Sequence, residues 1–474
     1  MTTLSDRRTL ARVTRGRDRV MRDGVRTLRI ALGTAALGAI VVISLRVASG
    51  GAADATFLVP SGRRSGYPGW MRGPLASHGS IISLRSFILL MAVMALAWLV
   101  TLLCAEALPR WAVPAAIVVA TAIFTLGPPL LSSDVFNYIA YGRLGMHGIN
   151  PYAHGPAALM SDPVYPYTGH LWKHDPSAYG PLFTGVTQVL APLGTAASYW
   201  ALRVLTGVAA LACAALVWLT ARRLGRPPAL AAAFFALNPL VLVWAIGGAH
   251  NDVLTVALVA LAVYLAVRGA AASAGATLAG AVAIKVSAGL VLPFLLLGAR
   301  PRRRAAAGFA AAAAVVVAGS LLVYGTAMRS MVRVLASEQH FHWIVVSAPA
   351  FVGHYLGLGR LTSHDRHILL AVFAAAVAAL IVVAFRGGGR RWLEAAGAAT
   401  LVLLVTTGWL LPWYIIWVLP LAAVLRMRAV PAAAVVLTLL LLVMQLDHFW
   451  LTRNSHHHHL RHRQHIALRV SGRP

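Results

Sequence analysis

Apolar runs of bilayer-crossing length recur along this chain from residue 29 to residue 446. A helix needs about 20 such residues to cross the hydrocarbon core. In lipid, every backbone N–H and C=O must find its partner within the protein, a demand that helices meet segment by segment. The candidate spans are 29–48, 81–105, 109–130, 197–219, 229–246, 252–268, 274–298, 305–324, 367–385, 392–408, 411–425 and 429–446. Hydrophobic residues make up 59% and charged residues 11% of the 474, with a mean hydropathy of +0.75. A soluble domain carries about a quarter charged residues. The expected fold is therefore all-α and polytopic, with about 11–13 transmembrane helices.

The formal charge of +28 invites a nucleic-acid partner, but the arginines are placed for a membrane. Nine lie in the first 29 residues, and others cluster in "ARRLGR" (221–226), "RPRRR" (300–304) and "RGGGRR" (386–391). Those clusters flank apolar spans, as cytoplasmic loops do under the positive-inside rule. No nucleic acid is expected, whereas membrane lipids are, and the basic N-terminal tail suits an anionic leaflet. Cys104 and Cys213 both fall inside apolar spans and read as packing residues. The arginine-rich start with "ADA" (53–55) resembles a signal peptide, but the many later spans favour a retained first helix. The division expected is a basic cytoplasmic tail over 1–28, a transmembrane domain over 29–447 and a basic His-rich tail over 448–474. "SHHHH" (455–459) in that last tail is given no role.

With the N-terminus inside, residues 131–196 and "GGAHND" (247–252) fall outside, and 221–226 falls inside. A single crossing by 274–298 would put "RPRRR" on the wrong side. Splitting that span near "IKVSAG" (284–289) into two short helices restores the parity, and such breaks are tolerated where they line a cavity. The same count leaves the basic C-terminal tail outside, against the charge rule. The 131–196 segment is rich in Pro, Tyr, Trp and His, unlike a flexible Gly/Ser linker. It is expected to be an ordered outer loop with short interfacial helices.

Few acids remain outside the basic tail: ten for the remaining 445 residues. One opens "SSDVFNYIAYGRLGMHGINPYAHGP" (132–156). If that stretch is helical, Asp134, Asn137, Tyr138 and Tyr141 share a face. Two readings are open: Ser133 or Asp134 as a helix N-cap, or Asp134 as a functional acid at the membrane boundary. In "GGAHND", His250, Asn251 and Asp252 form a polar cluster at a helix junction, with Asp252 also suited to an N-cap. Lys285 is one of two lysines against thirty-nine arginines and sits inside an apolar run. A paired anion explains it better than snorkelling. "SAYGPLFTGV" (177–186) reads as a tight turn entering a helix. "WLLPWYIIW" (409–417) reads as an interfacial aromatic belt. Dinucleotide, P-loop, HExxH and CxxC motifs are missing. "SEQHFHW" (337–343) and "HDRH" (364–367) read as solvated histidines before metal ligands.

These stretches, in this order, resemble the GT-C superfamily of membrane glycosyltransferases. More closely, the chain is similar to the actinobacterial polyprenol-phosphate-mannose-dependent α-(1→6)-mannosyltransferases. The resemblance rests on "SDVFNYIAYGR", "NPY" (150–152), "YGPL" (179–182), "NPLVLVWAIGGAHND", "AIKVSAGLVLP" and "PWYIIWVLP" (412–420). It covers roughly residues 110–300 and 400–425. In family members a proline often follows the lysine closely, whereas "KVSAG" departs from that pattern.

The resemblance implies a GT-C-like helical bundle with a catalytic aspartate in an outward loop, here Asp134. The donor is then a sugar, mannose first, on a polyprenol phosphate, and the acceptor a cell-envelope glycan or glycolipid. The site faces the exterior of the plasma membrane. Asp134 is expected to take the proton of an acceptor hydroxyl as it attacks the anomeric carbon opposite the phosphate, inverting that centre. Lys285, Arg143, Arg203 and His250, with Asn251 and Asp252, are the candidates for holding the donor head group. Asn137, Tyr138, Tyr152, Trp172, Tyr179, Trp413 and Tyr414 are the candidates for shaping the sugar and acceptor sites. No cofactor is required, and a divalent metal is left open. Another polyprenol-linked sugar (arabinose, glucose) and a flippase of lipid-linked sugars are the alternatives.

Overall fold

Most apolar runs become helices, which stop where the sequence offers a cap or removes a donor. Ser83 caps the Leu84–Cys104 helix by accepting from the Ser86 N–H at 3.1 Å. The Ala112–Leu126 helix ends at Gly127, ahead of Pro128 and Pro129, which cannot continue it. Thr362 and Asp365 form a reciprocal capping box at the start of Ser363–Gly387. The computed structural model describes residues 4–53, 56–58, 68–338, 347–357 and 361–445, and its side chains begin at Asp23 and omit 337 and 338. Among these residues there are helices and turns but no strand, and the chain is an all-α polytopic membrane protein.

Among the described residues, five helical segments are long and apolar enough to cross a membrane by themselves: Asp23–Gly51, Leu84–Cys104, Pro181–Arg223, Arg302–Ala336 and Ser363–Gly387. The other apolar helices are shorter, 10–17 residues, among them Ala112–Leu126, Asp252–Val267, Ala271–Ile284 and Ala429–Gln445. The first helix, Leu4–Gly51, packs on Leu84–Cys104 and Ala112–Leu126, with Ile40 and Val47 fully buried. Ala271–Ile284 crosses Arg302–Tyr324 at close range. A Cβ on Gly275 would strike the Ala305 carbonyl, and one on Gly308 that of Ala272. Lipid removes the hydrophobic drive for helices to associate, so close backbone approach supplies the packing. Ser363–Gly387 packs on Arg391–Thr406 at the edge of the bundle, with only 6% of its most apolar window buried.

The break expected in the 274–298 run is present. Ala271–Ile284 stops at Lys285, whose backbone is extended (φ −149°, ψ 123°), and the chain resumes as a tight 3-10 turn over Val286–Val291. The 131–196 segment is ordered: it holds the Asp134–Met146 and Pro181–Leu190 helices and short turns at Pro156–Leu159, Tyr165–Tyr167 and His170–Trp172. "ADA" (53–55), "SEQHFHW" and the 448–474 tail lie wholly or partly outside the described residues.

The Arg391–Thr406 helix runs between two cavities. Its first turn lies beside Leu224–Arg226 and Val424–Arg426. Its last turn, with Leu403 and Thr407, lies beside Asp134 and Lys285. Sixteen residues at 1.5 Å each separate these ends by about 24 Å. Arginine clusters thus gather at one end of the bundle, and the candidate functional residues at the other.

Candidate active site

Asp134 is the first residue of the Asp134–Met146 helix, but its side chain does not cap it. The neighbouring Ser132 hydroxyl instead accepts from the Asp134 N–H at 3.2 Å. The carboxylate points to His250, with Oδ2 3.1 Å from Nδ1, although neither ring nitrogen makes an aligned hydrogen bond. His250 is fully buried and stacks on Trp413, ring centroids 3.6 Å apart and planes 17° off parallel. Burial disfavours the Asp134 carboxylate. The His250 contact, the Lys285 charge and the Ser132 hydroxyl outweigh that penalty and hold its pKa below the ordinary 3.8. Asp134 is therefore ionised near neutral pH.

The turn that delivers His250 is unusual backbone. A π-helical turn over Val241–Ile246 leads into Gly247 and Gly248, and Ala249 follows at φ 57°. Leu131, just before Asp134, also has a positive φ of 58°. Non-glycine residues there cost about 1–3 kcal/mol each and concentrate at functional sites. The two turns are tied together: the Leu130 N–H donates to the Gly247 carbonyl at 2.9 Å. Arg203, 1% exposed, completes the brace. Its guanidinium donates to the carbonyls of Thr125 (3.2 Å), Gly247 (2.8 Å), Gly127 (2.7 Å), Pro128 (3.4 Å) and Phe124.

Asp252 is likewise no helix cap. Its side chain leaves the first turn of Asp252–Val267 uncapped and accepts from Lys285 Nζ and Trp417 Nε1, each at 2.7 Å on Oδ1. Lys285 lies over the rings of Tyr414 (4.8 Å) and Trp417 (5.3 Å), so its ammonium is held by a buried carboxylate and two aromatic faces. The "YGPL" turn presses on the same helix end. The Gly180 N–H donates to the Ile284 carbonyl at 2.9 Å, and a Cβ at Gly180 would strike the Ala283 carbonyl.

Asp134 and Lys285 open into one cavity of about 440 Å³. Trp172, Tyr179, Trp413 and Tyr414 line it as expected, and Trp409 and Trp417 join them. Val286, Leu335, Leu403 and Leu411 contribute apolar lining. Tyr138 lies behind the carboxylate, its hydroxyl donating to Asn251 Oδ1 (3.3 Å) and accepting from the Asn251 N–H (3.2 Å). Asn137 Oδ1 accepts from the Gly169 N–H at 3.0 Å.

Eight expected residues do not line the cavity: Asn137, Tyr138, His250, Asn251 and Asp252 are buried in the structure around it, and Arg143, Arg203 and Tyr152 are engaged elsewhere. Arg143 pairs with Asp162 inside the ordered loop. Arg203 spends its donors on carbonyls, which turns it from a phosphate ligand into a brace for both site turns. Tyr152 donates to the Tyr179 carbonyl at 2.7 Å and so supports the turn rather than a sugar ring. Trp417 and the Ser132 hydroxyl were missing from the sequence reading. Trp417 belonged to the aromatic belt already in view, but its tie to Asp252 spans 165 positions. Among the described residues, no three His, Cys, Asp or Glu side chains converge as a metal site.

Comparison with known proteins adds an independent line. Residues 30–300 match the family model described as alpha-(1->6)-mannopyranosyltransferase, N-terminal domain. Alpha-(1->6)-mannopyranosyltransferase A of Mycobacterium tuberculosis is 31% identical over 334 residues, 64% of this chain and 61% of that protein. Alpha-(1->6)-mannopyranosyltransferase A of Corynebacterium glutamicum is 28% identical over 171 residues, 35% of each chain. The B enzyme of the same organism is 25% identical over 149 residues, 30% of this chain and 25% of its own. The chain thus spans less than two thirds of these relatives' lengths. No solved structure matches the chain. The matched region carries Asp134, His250, Asp252 and Lys285, and the chain belongs to the alpha-(1->6)-mannopyranosyltransferase family.

Proposed function

We propose that the protein transfers mannose from a polyprenol phosphate to a hydroxyl of a cell-envelope glycan or glycolipid, at the outer face of the plasma membrane. The observation that carries this reading is the single cavity that contains both a carboxylate and an ammonium, Asp134 and Lys285. The relatives' names support mannose as the sugar and an α-(1→6) bond as the product.

In this mechanism the donor phosphate sits against Lys285. An ammonium has three N–H donors, and the Asp252 contact uses one of them. The apolar lining of Val286, Leu335, Leu403 and Leu411 receives the start of the polyprenyl tail. Asp134, held ionised by its neighbours, removes the acceptor proton while the acceptor oxygen attacks the anomeric carbon. The bond from that carbon to the phosphate oxygen breaks, its electron pair leaves with the phosphate, and Lys285 stabilises the charge that develops there. Attack opposite the leaving group inverts the anomeric centre. His250, clamped by Trp413, fixes the carboxylate, and the sugar stacks on the cavity's aromatic rings.

The test uses membranes containing the full chain, a labelled polyprenol-phosphate mannose and an α-mannan acceptor. Label should enter the glycan with the donor's anomeric configuration inverted. Label that only changes leaflet supports a flippase instead, and retained configuration excludes a direct displacement.

A further inference from the structure

A second, larger cavity of about 620 Å³ lies at the far end of the Arg391–Thr406 helix. By the helix length it is about 24 Å from the cavity that holds Asp134. Three segments remote in sequence build it, and each brings arginine: Arg226, then Arg390 and Arg391, then Arg426. The one carboxylate in its wall is Glu394. Among the described residues none of the four guanidiniums is ion-paired with a carboxylate. Arg390 donates to the Leu224 carbonyl at 3.3 Å and so joins two of the segments. Leu224, Leu393 and Leu425 supply an apolar wall beside these charges.

Four like charges converging on a cleft repel one another and raise the local concentration of anions. The Arg391–Thr406 helix starts at this cleft, and its dipole adds positive potential at that end. A guanidinium presents parallel N–H donors that match a phosphate bidentately. We propose that this cleft is a binding site for a phosphate group, separate from the transfer site. Phosphate chemistry reaches such a cleft from an anionic phospholipid head group or from a soluble phosphate. The neighbouring leucines suit the lipid, and basic pockets between helices at a membrane boundary recognise such head groups.

The experiment places the full chain in phosphatidylcholine nanodiscs and offers two probes: phosphatidylglycerol, followed by native mass spectrometry of retained lipid, and inorganic phosphate, followed by thermal shift. The cleft variant is Arg226→Gln/Arg426→Gln, which leaves the Arg390 brace in place. The control, Arg303→Gln/Arg304→Gln, removes the same charge from exposed arginines elsewhere. The wild type and the control should retain phosphatidylglycerol equally, and the cleft variant should bind at least about tenfold more weakly, as expected for lost charge-assisted hydrogen bonds. Arg426→Gln alone, at an exposed position, should give an intermediate loss and guards against a folding defect in the double variant. Binding of inorganic phosphate without phosphatidylglycerol retention, again lost in the cleft variant, upholds the site and assigns a soluble ligand. Equal behaviour of the cleft variant and the control with both probes, or binding of neither probe by the wild type, overturns the proposal.

Discussion

Replacing Lys285 by Met separates its pairing with Asp252 from its proposed action on the donor phosphate. Asp252 is 1% exposed and keeps only the Trp417 N–H once Lys285 is gone. Breaking a buried pair by removing one partner costs about 3–5 kcal/mol, because the other charge stays buried and uncompensated. The Lys285 side chain retains 17% exposure, so the low end, about 3 kcal/mol, applies. Asp252→Asn/Lys285→Met removes both charges and should cost about 1 kcal/mol or less, so it should recover about 2 kcal/mol relative to Lys285→Met. Turnover follows a different pattern. Loss of a group aimed at developing charge lowers kcat by about 10²–10³, and adding Asp252→Asn does nothing to restore it. The assay pairs denaturant unfolding in mixed micelles, read by tryptophan fluorescence, with mannosyl transfer on the same preparations. Stability should return in the double variant while transfer does not. A double variant as unstable as Lys285→Met, or one that regains transfer, would refute the reasoning.

Arg203→Met should orphan the carbonyls of Phe124, Thr125 and Gly127 at about 1–3 kcal/mol each. The variant is expected to aggregate in fluorescence-detected size exclusion, and Arg203→Lys, with three donors, should not rescue it. Asp134 is held below 3.8. A base is active above its pKa and fails as pH falls through it, so the acid limb of transfer should lie below the ordinary carboxylate value. His250→Phe keeps the stack on Trp413 but removes the lowering contact, and should move that limb to higher pH in a pH–rate profile. Gly180→Ala forces the "YGPL" turn off the Ala283 carbonyl and so displaces the Lys285 corner. It should lower transfer at least about tenfold while a melting curve shows folded protein.

Much of the candidate site is legible in the sequence because lipid makes polar residues conspicuous. Asp134, Lys285 and the His250–Asp252 cluster stand out from apolar runs in which an ionisable group is costly. The break at Lys285 followed from the charge rule applied to "RPRRR", and the structure has it at that residue. Arg203 was misread for a physical reason: its partners are backbone carbonyls, which leave no trace in the identity of side chains. Arg143 was misread because its partner Asp162 lies across a loop whose path no local periodicity reveals. The N-cap readings of Asp134 and Asp252 failed because tertiary partners, His250 and Lys285, took both carboxylates. The arginine cleft was visible only as three basic loops, and their convergence comes from the helix packing between them.

In the proposed mechanism a single carboxylate at the wall of the cavity, Asp134, removes the acceptor proton. Asp134→Asn keeps the volume and removes the base, so it tests that step with the least disturbance. Single-turnover transfer from labelled polyprenol-phosphate mannose, with donor binding measured on the same sample, gives the decisive pair of numbers. The account predicts that binding stays within about threefold of wild type while transfer falls by about 10² or more, the span of general-base catalysis. Transfer at the wild-type rate by the folded Asp134→Asn protein would contradict it.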